Sequence, residues 1–258
     1  MRVLDLFSGI GGFSLGLERA GMETIAFCEI EPFCQKVLRK HWPDVPIYDD
    51  VKELTNERLR ADGITDIDII TGGFPCQDLS VAGKQKGITG DRSGLWSELS
   101  RIISEIRPKY AIMENVPALI SGDSGRWFGK VLGDLAEIGY DAEWYCIPAS
   151  YVGAPHIRDR VWILAYPAKV GWDIQEHKKT VTLHGEQLQN FEQPGYRWER
   201  KNGGHSMEHV GWTVKPDVHG SNDDVPRKLA ESAIGAFGNA VVPQIPELIG
   251  RAIMECNV

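Results

Sequence analysis

No apolar stretch in this chain approaches the roughly 20 residues that a membrane span needs. The first apolar run is broken by Asp5 and passes directly into a Gly-rich turn, so it does not read as a secretory leader. Cysteine is scarce: Cys28, Cys34, Cys76, Cys146 and Cys256 are odd in number and show no CxxC spacing. That pattern argues for reduced thiols in a cytosol, with neither a disulfide framework nor a zinc site, and no metal is expected. Positive charge is short as well, with 28 Lys and Arg against 36 Asp and Glu and a net charge of -8. As a sum this disfavours nucleic acid, although a local basic face can exist on an acidic protein. Internal repeats and low-complexity tracts are absent. So is the GxGxxG spacing that cradles a dinucleotide pyrophosphate, because the glycines after the first apolar run read Gly9-Ile10-Gly11-Gly12.

What the chain does contain suits one large α/β domain: 258 residues, 42% of them hydrophobic. Val3-Leu4-Asp5-Leu6-Phe7 reads as a strand and Ser8–Gly12 as a tight turn, after which Phe13, Leu17 and Ala20 recur at helical spacing up to Gly21. Thr24 to Cys28 reads as a second strand ending at Glu29, and Pro32 suits the first turn of the next helix. Pro46-Ile47-Tyr48 is a short extended piece leading to Asp49-Asp50, and Ile67–Ile70 is a further strand. Leu99, Ile102, Ile103 and Ile106 mark a helix closed by Pro108; Tyr110–Met113 is strand-like and delivers Glu114. A helix through Val131, Leu135 and Ile138 precedes two strand candidates, Ala142–Ile147 and Arg160–Ala165. Strands alternating with helices imply βα units and a parallel twisted sheet, hence a Rossmann-like fold.

Composition shifts after Pro167. Residues 168–225 are rich in His, Lys, Gln, Asn, Gly and Trp, with no long periodic run, and from about Ile234 the pattern turns globular again. The expected division is a domain over 1–167, a small irregular region over 168–225, and a segment over 226–258 that returns to the first domain.

In open α/β sheets, ligands collect outside the C-terminal ends of the strands. Five features fall there. The Gly9–Gly12 turn lets backbone amides approach a ligand, though taken alone it equally suits a tight connection. Glu29 lies about 20 residues further on, where an acid can grip ribose hydroxyls. Asp50 could take an adenine amino group. Gly, Glu and Asp at three strand ends describe an adenosine site without a phosphate clamp, which fits S-adenosylmethionine. Cys76, in the Gly/Pro turn Gly73-Phe74-Pro75-Cys76-Gln77, and Glu114 end two further strands. A thiolate is a strong carbon nucleophile, and a nearby carboxyl can protonate a ring nitrogen, so the pair suits attack on an electron-poor heterocycle. A buried inert thiol and a solvated acid are the plain alternatives.

Asp5-Leu6-Phe7-Ser8-Gly9-Ile10-Gly11-Gly12, Gly73-Phe74-Pro75-Cys76-Gln77, Glu114-Asn115-Val116, Arg158-Asp159-Arg160 and Gly238-Asn239-Ala240-Val241 resemble, in order, the motifs of the DNA (cytosine-5)-methyltransferases. The resemblance implies a Rossmann-like S-adenosylmethionine-dependent sheet with helices on both faces, and a target-recognition region at 168–225. Phe7 would stack on the cofactor adenine, Ile30 would pack beside it, and Glu29 would hold the ribose. Asp50 would bind the adenine amine, while Ser8, Gly9, Ile10, Gly11, Gly12, Val51, Gly73, Pro75, Leu95, Asn239 and Ala240 would complete the pocket. Cys76 would attack cytosine C6, Glu114 would contact N3 and the exocyclic amine, Arg160 would hold the base carbonyl, and Arg158 would support the site. The product would be S-adenosylhomocysteine.

The base must leave the duplex for this chemistry, and the Gln77–Leu95 loop, with glycine hinges and Lys84, Lys86 and Arg92, fits a lid for that event. Lys178, Lys179, Arg197, Arg200 and Lys201, interleaved with Tyr196 and Trp198, are candidates for DNA contact. The chain departs from the family pattern at His156-Ile157, where Gln commonly precedes Arg-x-Arg, and in the faintness of Pro226-Arg227-Lys228-Leu229. The expected partner is double-stranded DNA, without a membrane, for a cytoplasmic monomer with room for a cognate restriction endonuclease acting separately. Two other readings stand beside it: a tRNA cytosine methyltransferase, disfavoured by the lack of a Cys-Phe-Thr tripeptide, and a non-catalytic DNA-binding relative.

Overall fold

A run such as Val3-Leu4-Asp5-Leu6 has apolar residues at both parities and needs cover on both faces of its sheet. The computed structural model, which describes residues 1–74, 94–154, 156–168, 196–201, 204–209, 235–236 and 238–256, places this run as β1 (Arg2–Leu6). It lies in the interior of a seven-stranded sheet with β2 (Glu23–Cys28), β3 (Ile47–Tyr48), β4 (Ile69–Gly72), β5 (Tyr110–Asn115), β6 (Tyr140–Pro148) and β7 (Asp159–Pro167). The strand order is β3-β2-β1-β4-β5-β7-β6, so the winding reverses between β1 and β4.

Helices cover both faces, and the two-residue period of β1 decides which side chain meets which cover. Leu4 and Leu6 join a core with Leu99, Ile102 and Ile103 of α4 (Gly94–Ile106) and Val131 and Leu135 of α6 (Arg126–Glu137). Val3 points the other way, into a core with Phe13 and Leu17 of α1 (Gly12–Arg19) and Ile245, Leu248, Ile249 and Ile253 of α7 (Gln244–Cys256). Each face thus buries several large aliphatic side chains, at about 1.5–3 kcal/mol apiece when fully buried. Between β2 and β3 runs α2 (Pro32–His41), with Pro32 at its first turn.

The segment before α7 lies directly on α1. A Cβ at Gly16 would stand 2.2 Å from the Pro243 carbonyl oxygen, and one at Gly12 would stand 2.4 Å from that of Val241. Only the missing side chains allow backbone to press on helix there, and that contact brings the C-terminal part of the chain back to its beginning.

The parallel sheet expected from the βα alternation holds for β1 to β5, but β7 runs antiparallel to both β5 and β6. The reason is the short connection from β6 to β7, whose described residues hold a single 3-10 turn, Ala149–Val152, and no crossover helix. A parallel pairing would need a dozen or more residues of crossover. The strand expected at Ile67–Ile70 starts later, at Ile69. Asp68 instead accepts the Arg2 backbone N–H at 2.9 Å and pairs with Lys109 at 2.8 Å.

Two short helices, α3 (Asn56–Ala61) and α5 (Ala118–Ser121), carried too little periodicity to be read; α3 buries Leu59 alone and is capped by Thr55, whose hydroxyl accepts the Arg58 N–H at 3.1 Å. Within the region expected to be irregular, β8 (Tyr196–Lys201) and β9 (Gly204–His209) form an antiparallel hairpin. Among the described residues no helix is long and apolar enough to cross a membrane.

Gly16→Ala is expected to lower stability by about 1–3 kcal/mol through overpacking against the Pro243 carbonyl. Thermal unfolding checks this, and an unchanged Tm would mean that the α1–α7 contact yields without cost.

Candidate active site

Among the described residues, one rim of the sheet gathers nearly all those that bear chemistry. The C-terminal ends of β1, β2, β4 and β5 open there, and because β7 is reversed its first residues reach the same rim. Phe7 to Gly12 follow β1, Glu29 and Ile30 follow β2, Asp50 and Val51 follow β3, and Gly73 follows β4. Glu114 sits near the end of β5, Leu95 in the first turn of α4, Arg158 and Arg160 at the start of β7, and Asn239 and Ala240 just ahead of α7. Pro75, Cys76 and nearly all of the expected lid, residues 77–93, lie outside the described residues, as do residues 226–229 and the expected DNA-contact lysines 178 and 179.

The turn after β1 is held by side-chain oxygen. Phe7 has φ 52 and Gly9 φ 55, so the chain turns sharply through the left-handed region, at a cost of roughly 1–2 kcal/mol for the non-glycine residue. Ser8 repays part of this: its hydroxyl donates to the Asp5 carbonyl at 2.6 Å, and its N–H donates to the Cys28 carbonyl at 3.2 Å. The Glu29 carboxylate then bridges two loops, accepting the Gly9 N–H at 2.6 Å through Oε2 and the Glu31 N–H at 2.7 Å through Oε1. Burial raises the carboxyl pKa of Glu29, and those two backbone donors oppose the rise. Beside it Ile30 is 71% exposed, an uncovered apolar surface next to an acid at the end of β2. The Asp50 carboxylate accepts the Lys52 N–H at 2.9 Å. Together these groups could hold the ribose and the flat apolar base of an adenosine.

Beneath the turn sits an acid that sequence reading left as an ordinary strand residue. Asp5 is fully buried, and its two oxygens accept the hydroxyls of Ser14 from α1 and Thr71 from β4, each at 2.7 Å. Burial pushes its pKa up to about 7 against the pull of those donors. The available signal was a carboxylate and a threonine at matching depth in two otherwise apolar strands.

At the other side of the rim, Arg160 Nε pairs with Glu114 Oε1 at 2.7 Å. Burial raises the Glu114 pKa, while the cations Arg160 and Arg158 hold it down. A Cβ on Gly73 would stand 3.4 Å from Glu114 Oε2, so this acid lies against the turn that leads to Cys76. Asn115 anchors that turn: its Nδ2 donates to the Phe74 carbonyl at 3.1 Å, and its Oδ1 accepts the Val116 N–H at 2.8 Å.

Arg158, expected beside Arg160 as support, turns to the C-terminal segment. It donates to the Gly238 carbonyl at 2.6 Å and the Ala240 carbonyl at 3.0 Å, from a backbone at φ 38. A cavity of about 300 Å³ lies there, lined by Ile10, Gly12, His156, Arg158, Ala240 and Val241 among others.

Of the other thiols, Cys28 and Cys34 are buried and pushed up to about 12 by burial and by Glu29, so neither supplies thiolate at neutral pH. Among the described residues no His, Cys, Asp and Glu cluster is arranged to hold a metal ion.

A family model described as C-5 cytosine-specific DNA methylase matches residues 1–210. The chain belongs to this family. It is 39% identical over 169 residues to the type II methyltransferase M2.BsuMI of Bacillus subtilis, a match covering 64% of this chain and 42% of that protein. To the type II methyltransferase M.HhaI of Haemophilus parahaemolyticus it is 34% identical over 166 residues, covering 64% and 49% respectively. The matches span about half the length of these curated relatives. Among solved structures, a prophage-encoded E. coli protein assigned as a DNA modification methyltransferase superposes with a TM-score of 0.56 at 30% identity, covering 65% of this chain and 47% of that one. The sheet with helices on both faces is the Rossmann-like fold expected of the family.

The buried acid gives a pH signature. Its folded pKa, about 7, lies above the ordinary value of 3.8, so the native state holds the Asp5 proton more tightly than the unfolded chain. The stability this contributes is complete below pH 4 and is lost as pH rises toward 7. Asp5→Asn keeps both a donor and an acceptor but cannot titrate. Over pH 4 to 7 the wild type should therefore lose stability relative to the variant, by a few kcal/mol at most. Parallel pH series of urea unfolding test this; two curves of equal slope would refute it.

Proposed function

We propose that the chain is a DNA (cytosine-5)-methyltransferase that uses S-adenosylmethionine and forms a transient bond from Cys76 to C6 of a flipped cytosine. The observation that carries the reading is the Glu114–Arg160 pair, lying against the Gly73 turn on the same rim as the Gly9–Gly12 turn and Glu29. An acid whose proton affinity is raised by burial and checked by a cation suits reversible contact with a ring nitrogen.

The groups after β1, β2 and β3 fit the cofactor by their chemistry: Glu29 for the ribose, Phe7 and exposed Ile30 for the adenine, Asp50 for its amine, and the Gly9–Gly12 backbone with Asn239 and Ala240 for the methionine part. Ser8, Val51, Gly73, Pro75 and Leu95 would complete the enclosure. When bound, S-adenosylmethionine supplies an electrophilic methyl group. The Cys76 thiolate adds to C6, and the displaced electron pair moves through the ring toward N3, where Glu114 shares its proton. Arg160 steadies the base carbonyl. Carbon 5, now enamine-like, takes the methyl group. Loss of the C5 proton to solvent returns an electron pair to the ring, the S–C6 bond breaks, the thiolate leaves, and the proton shared at N3 goes back to Glu114. Arg158 supports the site from outside, by holding the carbonyls before α7.

On this reading residues 1–167 form the catalytic domain, 168–225 the target-recognition region, and 226–258 the returning segment. The substrate is double-stranded DNA, read by a cytoplasmic monomer, with a cognate restriction endonuclease acting separately. The type II methyltransferase names of the relatives support that setting.

Incubation with DNA or RNA containing 5-fluorocytosine separates this reading from an RNA enzyme and from a non-catalytic relative. Fluorine cannot leave as a proton, so the covalent adduct accumulates. A cofactor-dependent adduct with DNA that disappears in Cys76→Ala is expected; an adduct with RNA alone, or one that survives the substitution, overturns the proposal. Glu114→Gln should retain cofactor binding while turnover falls by at least about 100-fold, the usual scale for a positioned acid. Loss of cofactor binding in that variant would remove Glu114 from the base pocket.

A further inference from the structure

The two acids proposed to hold the adenosine, Glu29 and Asp50, stand on neighbouring loops with little regular structure to keep them in register. β3 is two residues long, pairing Phe27 with Ile47 and Cys28 with Tyr48. One further rung follows, the Glu29 N–H to the Tyr48 carbonyl at 2.9 Å, and there the ladder ends. What joins the loops beyond it is the side chain of Gln35, rising from α2. Its Nε2 donates to the Glu29 carbonyl at 2.6 Å and to Asp49 Oδ1 at 2.9 Å. Its Oε1 accepts from Arg39, one turn along the helix, at 3.1 Å.

This amide has one workable orientation. Rotated by half a turn, its oxygen would face a carbonyl and a carboxylate while its N–H groups faced a guanidinium. Gln35 is 8% exposed, so the bonds it makes are not readily replaced by water, and breaking them strands a partly buried carbonyl. Asp49 is met by the amide, whose oxygen in turn accepts from Arg39. None of these three residues belongs to the motifs from which the site was read.

We infer that Gln35 is a positioning residue for the methyl-donor pocket: by tying the Glu29 backbone to the Asp49 carboxylate, it sets the spacing between the ribose acid and the adenine acid. The inference rests on the adenosine pocket proposed above. Gln35 touches no ligand on this account. It acts through Glu29, whose side chain is fixed by the Gly9 and Glu31 amides and whose own carbonyl is fixed by Gln35, and through Asp49, the residue before Asp50.

Calorimetric titration with S-adenosylhomocysteine, well below the unfolding temperature, tests this. Gln35→Met keeps length and volume but removes both donors, and its Kd should rise about tenfold, the scale of losing one hydrogen bond to a charged group. Asp49→Ala, at an exposed position that threatens no core, should raise Kd about threefold on the same grounds. The double variant should bind no more weakly than Gln35→Met alone, because both changes cut one tie. In turnover, KM for the methyl donor should rise with kcat at saturation unchanged. A purely structural role would lower the Tm of Gln35→Met and leave Kd where it was. A Kd for Gln35→Met within twofold of wild type, or additive effects in the double variant, overturns the inference. Should Gln35→Met fail to fold, an unchanged Kd in Asp49→Ala overturns it. Wild-type protein that does not bind S-adenosylhomocysteine at all would bring down the pocket itself, an outcome distinct from the others.

Discussion

The centre of this sheet depends on a carboxylate kept away from water. Asp5 is the penultimate residue of β1, the strand at which the winding reverses, and its two oxygens reach one residue on the helix that follows and one on the next strand over. A fully buried acid without such donors would cost several kcal/mol. With them it becomes a three-way joint between β1, α1 and β4. The backbone above it, Phe7 to Gly12, is left-handed in places and would not hold that shape unaided. Ser8 binds back to the Asp5 carbonyl and Glu29 reaches across to Gly9, so the turn is fixed from below and from the side.

The opposite end of the rim is built on charge. Glu114 and Arg160 pair across β5 and β7, two strands that could not present their ends together if both ran the same way. In a fully parallel sheet the start of β7 would lie at the far rim, and its cations with it. Reversal of one strand is therefore what brings a guanidinium to an acid at a strand's C-terminal end. Arg158, two residues earlier, spends its donors on backbone carbonyls of the segment before α7. The Glu114–Arg160 pair and the C-terminal segment before α7 are joined by one short stretch of chain.

Much of this was legible in the amino acids. Glycine and proline punctuate the elements, so the turn after β1, the proline opening α2 and the placement of Glu29, Asp50 and Glu114 at strand ends follow from local pattern. Strand direction does not, because periodicity carries no sign; the short link from β6 to β7 decided it. The small helices α3 and α5 escaped because one buried residue apiece makes no stripe. Arg158 resembled a site cation, and its bonds to carbonyls 80 and 82 residues away could be found only in three dimensions. Gln35 was invisible for the same reason, as its partners lie on two other loops. The motifs and their order carry the family likeness, while side-chain hydrogen bonds between distant residues hold the pieces together.

The glycines of α1 have a consequence for how such a chain can change. Because Val241 and Pro243 are seated on Gly12 and Gly16, the polypeptide leaves the sheet at the end of β7 and returns to a fixed place on α1. The sequence between those two anchors is a connection between fixed points. Lengthening such a connection costs little, roughly 0.6 kcal/mol for each doubling. Sequence between the anchors can therefore be expanded or trimmed while the scaffold stays intact.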